Sequence, residues 1–324
     1  MVKKYVIGID IGGTFTKIGL VDEEGAILKN TVYKTGANTA FGDFLKKLEM
    51  EVGLLKNALN DNDRLISIGV GAPNANYLTG TMEHPVNFRW GDMVPLVTEI
   101  EKLFGLPVHI ANDANAAALG ELYFGSGKNM KDFVVLTLGT GLGSGIIANG
   151  EILRGAHGMA GEIGHVNVDP DGRNCKCGLQ GCLETYASVT GIKRTVFELL
   201  AEMTDDSLMR QISYDEMTGE TIANAALEGD VVALKAFKKT ASVLGSKMAD
   251  TAAHLDPEAF ILSGGLSKAG AILLDPVVAS MEKNLFKAYK GKIKVMISEL
   301  PGAGAVLGPA ALAWQQIDRS KTKA

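Results

Sequence analysis

Two segments far apart in the chain read as the same short device. Asp10-Ile11-Gly12-Gly13-Thr14-Phe15-Thr16-Lys17-Ile18-Gly19-Leu20-Val21 leads into Gly25-Ala26-Ile27-Leu28. Leu138-Gly139-Thr140-Gly141-Leu142-Gly143-Ser144-Gly145-Ile146-Ile147 leads into Gly150-Glu151-Ile152-Leu153. Each is a strand, a Gly-Thr turn, a strand, a second turn and a third strand. Repetition at so long a period is not a solenoid. It reads as two related lobes, each opening with the same β-hairpin. The 324 residues exceed the size at which one hydrophobic core stops growing, so two lobes also suit the length.

Further strand-like runs lie at Leu65–Gly71, Pro107–Ala111, Phe133–Leu138, Ala259–Ser263 and Ile293–Ile297. Helical periodicity covers 41–59, 93–104, 113–124, 192–203, 230–255, 269–289 and 304–316. Strand pairs mixed with long helices indicate α/β lobes. No Pro/Ser-rich linker separates them, so structured chain crosses the hinge. The expected division is a small lobe of 1–112 plus 301–324 and a large lobe of 113–300, with the last helix returning to the small lobe.

Composition removes several classes of function. A formal charge of −5 argues against a nucleic-acid or anionic-membrane partner, which calls for a basic face. No apolar run reaches the length of a membrane span, and the short one after Met1-Val2-Lys3-Lys4 is broken at Asp10. Three cysteines cannot form a closed disulfide framework, and their clustering suits a metal. Thiolate ligands persist in a reducing compartment, so a cytoplasmic location is expected.

The paired turns are candidate phosphate loops. Glycines there let backbone N–H groups converge on an anion with no side chain in the way. Gly12, Gly13 and Thr14 form the first loop, with Thr16 and Lys17 offering a hydroxyl and a charge; Thr140 and Gly141 belong to the second. Together they suggest a nucleoside triphosphate held in an interlobe cleft. Neither is a Walker A loop or a dinucleotide fingerprint. Asp10, at the end of the first strand, suits Mg²⁺, which prefers oxygen ligands. Gly264 and Gly265 follow another apolar strand and would let adenine or ribose lie on the backbone. Asp113 opens a helix after Asn112. It has two readings there, a helix-capping acid or a rigid base that accepts a proton from a substrate hydroxyl.

Glu162-Ile163-Gly164-His165 and the run Cys175-Lys176-Cys177-Gly178-Leu179-Gln180-Gly181-Cys182-Leu183-Glu184 contain every cysteine of the chain. Three thiolates and one imidazole match a closed Cys₃His zinc site. Glu162 and Glu184 bracket it, which suggests a rigid site for a polyhydroxyl ligand.

These motifs, in this order and over nearly the whole chain, resemble the ROK family of sugar kinases and sugar-responsive repressors. The match rests on Asp10-Ile-Gly-Gly-Thr14, Asn112-Asp113-Ala-Asn115, Leu138-Gly-Thr-Gly-Leu-Gly143, Gly161-Glu-Ile-Gly-His165 and the cysteine run. The resemblance implies a two-lobed actin/hexokinase-like (ribonuclease H-like) fold with an interlobe ATP cleft. It implies transfer of the γ-phosphoryl of ATP to a hexose hydroxyl, with a place in carbohydrate metabolism, in glycolysis. By motif, Asp113 resembles the catalytic base. Asn112, Glu162, His165 and Glu184 resemble the hydroxyl-binding shell, with Asn87 and the backbone of Gly71 as further contacts. His165, Cys175, Cys177 and Cys182 resemble the ligands of a structural zinc whose four positions are all filled. A homodimer is the assembly the resemblance suggests.

The repressors of the family carry a helix-turn-helix module ahead of the sugar-binding lobes, and here the first strand begins by Tyr5. The principal expectation is therefore a glucose kinase forming glucose 6-phosphate. The alternatives are a kinase of N-acetylmannosamine or another hexose, or a catalytically silent sugar sensor. Asn74 and Asn76, in a loop that departs from the Ala-Pro-Gly of many family glucokinases, are candidates for reading a different hydroxyl or an N-acetyl group.

Overall fold

The computed structural model describes residues 2–85, 88–301 and 304–322. The chain forms two compact units, one of 1–129, 151–160 and 299–324, the other of 130–150 and 161–298.

The first unit opens with β1 (Lys4–Ile11), β2 (Phe15–Val21) and β3 (Ile27–Lys34), then α1 (Phe41–Lys56) and β4 (Arg64–Ala72). A small sheet of β5 (Ala75–Asn76), β6 (Thr81–Glu83) and β7 (Met93–Val94) follows. Then come α2 (Leu96–Phe104), β8 (Val108–Asn112) and α3 (Asp113–Phe124). The main sheet has the order β3-β2-β1-β4-β8. β1 pairs antiparallel with β2 and parallel with β4, and β4 parallel with β8.

The period-2 pattern of β1 explains its central place. Ile7, Ile9 and Ile11 point into a core with Phe44, Leu48 and Val52 of α1 and with Ile68 and Val70 of β4. The alternate positions, Val6, Gly8 and Asp10, share the opposite face. Both faces are covered, so the run is nearly continuously apolar.

The second unit contains β9 (Phe133–Leu138) and β10 (Leu142–Ala148). After β10 the chain re-enters the first unit through β11 (Glu151–Ile152). It comes back to form α4 (Val189–Glu202), α5 (Gly219–Leu227), α6 (Val231–Leu255), β12 (Ala259–Ser263), α7 (Ala271–Asn284) and β13 (Lys294–Ile297). Here the strands run β10-β9-β12-β13, with one antiparallel hairpin and two parallel pairings. The first unit's β2-β1-β4-β8 has the same order and senses, so the echo of the two turns extends to whole sheets. The core joins Val134, Leu136, Phe260 and Leu262 to Ile192, Val196 and Leu199 of α4 and Phe237 and Leu244 of α6.

The last helix, α8 (Leu307–Thr322), returns to the first unit as expected. It lies on the Val6–Gly8 face of β1, where Val306, Ala310, Ala313 and Trp314 pack with Val6 and Val21. The approach is backbone to backbone. A Cβ on Gly8 would strike the carbonyl of Val306, and one on Gly69 would strike that of Pro309.

The units divide differently from the expected boundary at 112/113. α3 stays in the first unit, because Gly308 of α8 nests against Ala116 and Gly120 of α3, with no room for a Cβ on Gly308. Helix limits also differ. Met93 and Val94 pair as β7, and Pro95 delays α2 to Leu96. α7 stops at Asn284, before extended Leu285. The Ala-rich α5 was not anticipated.

Candidate active site

In the first unit the candidate residues gather at the C-terminal ends of parallel strands, where open α/β sheets place their ligands. Asp10 of β1 is level with Gly71 of β4, and Gly71 with Ala111 of β8, one residue before Asn112. Asn112 caps α3, its side chain accepting the Ala114 N–H at 2.9 Å. This fixes the first turn and the direction of Asp113, whose own Oδ1 takes the same N–H at 2.8 Å. A Cβ on Gly71 would lie 3.3 Å from that of Ala116 and 3.9 Å from the Cα of Asp113, so the missing side chain lets α3 begin close to the sheet.

Asp113 is solvent-exposed by its accessible area, yet so much protein surrounds it that desolvation outweighs the Ala114 hydrogen bond and raises its pKa. Asp10 is pushed up to about 6, first by burial; Lys17 opposes this and the charge of Asp113 adds to it. Lys17 Nζ stands 3.6 Å from Asp10 Oδ2, across the β1–β2 hairpin in register. Gly13 and Thr14 are exposed at the hairpin turn, and the Thr35 hydroxyl donates to the Gly12 carbonyl at 2.6 Å. Thr16 departs from its expected role. It is fully buried and its hydroxyl pairs with that of Thr35 at 2.9 Å, so it serves the fold. Asn87 lies outside the described residues.

The loop of Asn74 and Asn76 is also tied internally. Asn76 is buried, donates to Glu83 at 3.0 Å and accepts from the Leu78 N–H at 2.9 Å. Asn74, at a φ of 51°, donates to the His84 carbonyl. Asn76 thus spends both ends of its amide on its own loop.

In the second unit, the ligand atoms of His165, Cys175, Cys177 and Cys182 all lie within 4.8 Å of one another. Cys177 and Cys182 sulfurs are 3.7 Å apart, and Cys175 Sγ is 3.9 Å from His165 Nδ1. Tetrahedral zinc at ordinary bond lengths needs separations of roughly 3.5–3.8 Å; these two pairs lie near that range, so the donor set is compatible with that ion. Burial and the neighbouring thiols push Cys182 up to about 12, and burial raises Cys175. A divalent cation would supply the charge that turns such thiols into thiolates. His165 Nδ1 faces the sulfurs while Nε2 faces Glu162 Oε2 at 3.9 Å, so the two ring nitrogens are divided between metal set and acid.

Glu184 occupies a position that spacing did not reveal. Its Oε2 accepts the Leu142 N–H at 3.0 Å, and its Oε1 accepts the Cys175 thiol at 3.6 Å. The loop of Thr140 and Gly141 is held from the same side, with Val189 N–H on the Gly139 carbonyl at 2.9 Å and the Thr190 hydroxyl on the Thr140 carbonyl at 2.8 Å. Gly264, at a φ of 92°, packs where a Cβ would lie 2.7 Å from the Leu138 backbone, beside the same loop; Gly265 follows it. Arg173, which no motif marked, clamps the base of the knot. It donates to the carbonyls of Thr185 and Gly191 at 2.6 and 3.1 Å, pairs with Glu198 at 2.6 Å and lies over the Tyr186 ring.

The ROK family model matches residues 6–316. The chain belongs to the ROK family. Among ROK proteins, the glucokinase of Halalkalibacterium halodurans is 37% identical over 98% of this chain and 97% of its own length. A solved ROK family glucokinase from Streptomyces griseus, in complex with glucose and AMPPNP, superposes with a TM-score of 0.81. It is 36% identical and the match covers 96% of this chain and 99% of that one. The xylose repressor of Caldicellulosiruptor bescii is 31% identical over 95% of this chain and 77% of its own. The ROK fold, of the actin/hexokinase class, is therefore that of this chain. No helix among the described residues is long and apolar enough to cross a membrane.

Proposed function

We propose that the protein is an ATP-dependent hexokinase of the glucokinase type, transferring the γ-phosphoryl of ATP to the 6-hydroxyl of glucose. The observation that carries this reading is Asp113, a carboxylate fixed in the first turn of α3 and raised in pKa by its surroundings. It belongs to a chain whose full-length relatives include glucokinases. A raised carboxyl accepts a proton better than an ordinary one, and phosphoryl transfer otherwise asks mainly for positioning and charge.

The roles divide by unit. In the first, Asp113 takes the hydroxyl proton as the bond to phosphorus forms, and ADP leaves with the electron pair. Gly71, Asn87 and Asn112 bind sugar; Gly12, Gly13, Thr14 and Lys17 bind phosphate; Asp10 holds Mg²⁺. In the second, Glu162, His165 and Glu184 bind sugar hydroxyls, Thr140, Gly141, Gly264 and Gly265 bind nucleotide, and His165, Cys175, Cys177 and Cys182 hold zinc. When bound, Mg²⁺ neutralises phosphate charge and zinc fixes the loop that carries Glu184. The commitment of Asn76 to its own loop supports glucose over a sugar that this residue would read. Three free thiols in a metal-ligand arrangement support a cytoplasmic home. A homodimer completes the reading.

The test is ADP release with Mg-ATP across glucose, N-acetylmannosamine, N-acetylglucosamine, mannose, fructose and allose, with Asp113→Asn as control. Preference for glucose, lost in the control, is expected. Preference for N-acetylmannosamine would replace the substrate. Silence across the panel with sugar still binding would make the protein a sensor.

A further inference from the structure

The Glu184 carboxylate touches two things at once, both within the second unit. Oε2 takes the Leu142 N–H at 3.0 Å, and Oε1 faces Cys175 Sγ at 3.6 Å. Gly141, next to Leu142, leaves the space that the carboxylate fills: a Cβ there would run into Glu184 Oε2 and come within 3.0 Å of its Cδ. The Gly139–Leu142 turn is therefore shaped around this side chain. Glu184 is in turn fixed from the knot side. Cys182 lies two residues before it, Leu183 N–H bonds the Val166 carbonyl at 2.9 Å, and the Ser188 hydroxyl holds the Glu184 carbonyl at 2.7 Å.

The segment continues to the other holds on the turn, Val189 on Gly139 and Thr190 on Thr140. Every one of these holds comes from 184–190, the stretch that begins two residues after Cys182. When Cys175 is a metal-bound thiolate it has no proton to donate, and Oε1 is freed for another donor.

We propose that Glu184 is a positioning residue for the nucleotide turn, so that the Cys₃His knot sets nucleotide affinity as well as the sugar side. This rests on the reading of 139–142 as a nucleotide turn and of the knot as a zinc site. A charge-assisted hydrogen bond to a backbone N–H is among the stronger ones. Its loss frees a turn whose glycines give it little rigidity of their own.

The experiment uses the full chain without sugar and follows two readouts. One is the affinity for Mg-AMPPNP by calorimetry. The other is amide hydrogen exchange at Leu142, with Val134 and Val135 of β9 as the internal record of folding. Glu184→Ala is expected to weaken AMPPNP about tenfold and to speed exchange at Leu142 while β9 stays protected. Glu184→Gln, which keeps an acceptor oxygen, should restore most of both. Gly141→Ala, which displaces the carboxylate without removing it, should speed Leu142 exchange like Glu184→Ala. Chelation of the wild type should move both readouts the same way.

Unchanged AMPPNP affinity and unchanged Leu142 exchange in Glu184→Ala would overturn the proposal, leaving Glu184 a sugar contact alone. Failure of Glu184→Gln to rescue would overturn the hydrogen bond as the cause. If the wild type binds no nucleotide, the kinase reading fails, and Leu142 exchange still decides whether Glu184 orders the turn.

Discussion

Asp10→Asn should make the first unit more stable at neutral pH. The Asp10 carboxyl is raised from 3.8 to about 6 by burial and by Asp113, with Lys17 opposing. A raised acid binds its proton more tightly in the folded state. Its contribution to stability is full below the unfolded value of 3.8 and is lost as pH rises through about 6. At about 1.4 kcal/mol per pH unit the whole span is about 3 kcal/mol. The Lys17 attraction is already inside that figure, since it acts on the ionised form. At pH 4.5 the unfolded carboxyl is mostly ionised and about 1 kcal/mol has gone, so a series from pH 4.5 to 7.5 should show about 2 kcal/mol more.

Asparagine cannot ionise, and its costs of burial are the same at both ends of the series, so the change in the difference between variant and parent isolates the titration. Urea unfolding followed by tryptophan fluorescence is the assay. The chain's two tryptophans, Trp90 and Trp314, both belong to the first unit and report on it directly. Parallel stability curves for parent and Asp10→Asn would refute the reasoning. The variant should also lose phosphoryl transfer, the exchange of stability for function expected of an acid kept to hold a metal.

Asp113→Asn should keep glucose affinity and lose about 10²–10⁴ in kcat, measured by coupled ADP release; turnover at the parent rate would assign the base elsewhere. Chelation, or Cys177→Ala, should abolish glucose binding in calorimetry, and normal affinity in metal-free protein would sink the role of the knot. Gly69→Ala, whose Cβ meets the Pro309 carbonyl, should cost about 1–3 kcal/mol in the tryptophan-monitored transition. No change would mean that α8 yields easily at that point.

Much of the candidate site was legible because its motifs are local. The Gly-Thr turns, Asn112-Asp113 and the cysteine run each keep their residues within a few positions, and β1 and α3 announce themselves by period and cap. What stayed hidden depends on contacts between distant residues. Glu184 and Leu142 are 42 positions apart, and no spacing rule joins a carboxylate to a particular backbone N–H. Arg173 finds its carbonyls for the same reason only after α4 has packed. Thr16 looked like a phosphate ligand because alternation in β2 shows which residues share a face, whereas its hydroxyl partner, Thr35, comes from the chain just past β3. The unit boundary moved because α3 has small residues where α8 crosses it, and the sequence of α3 alone does not name the helix it meets.

The return of α8 fixes an order of events during synthesis. All residues of the second unit, ending at 298, leave the ribosome before α8 does. The first unit begins the chain and is finished last. Until Trp314, Ala310 and Ala313 arrive, the Val6 and Val21 side of its sheet has only flanking residues such as Tyr123 and Phe124 against it and lacks the helix that crosses it. The nascent protein should therefore pass through a stage with one unit complete and the other open along β1, and in that interval a chaperone would find its apolar surface.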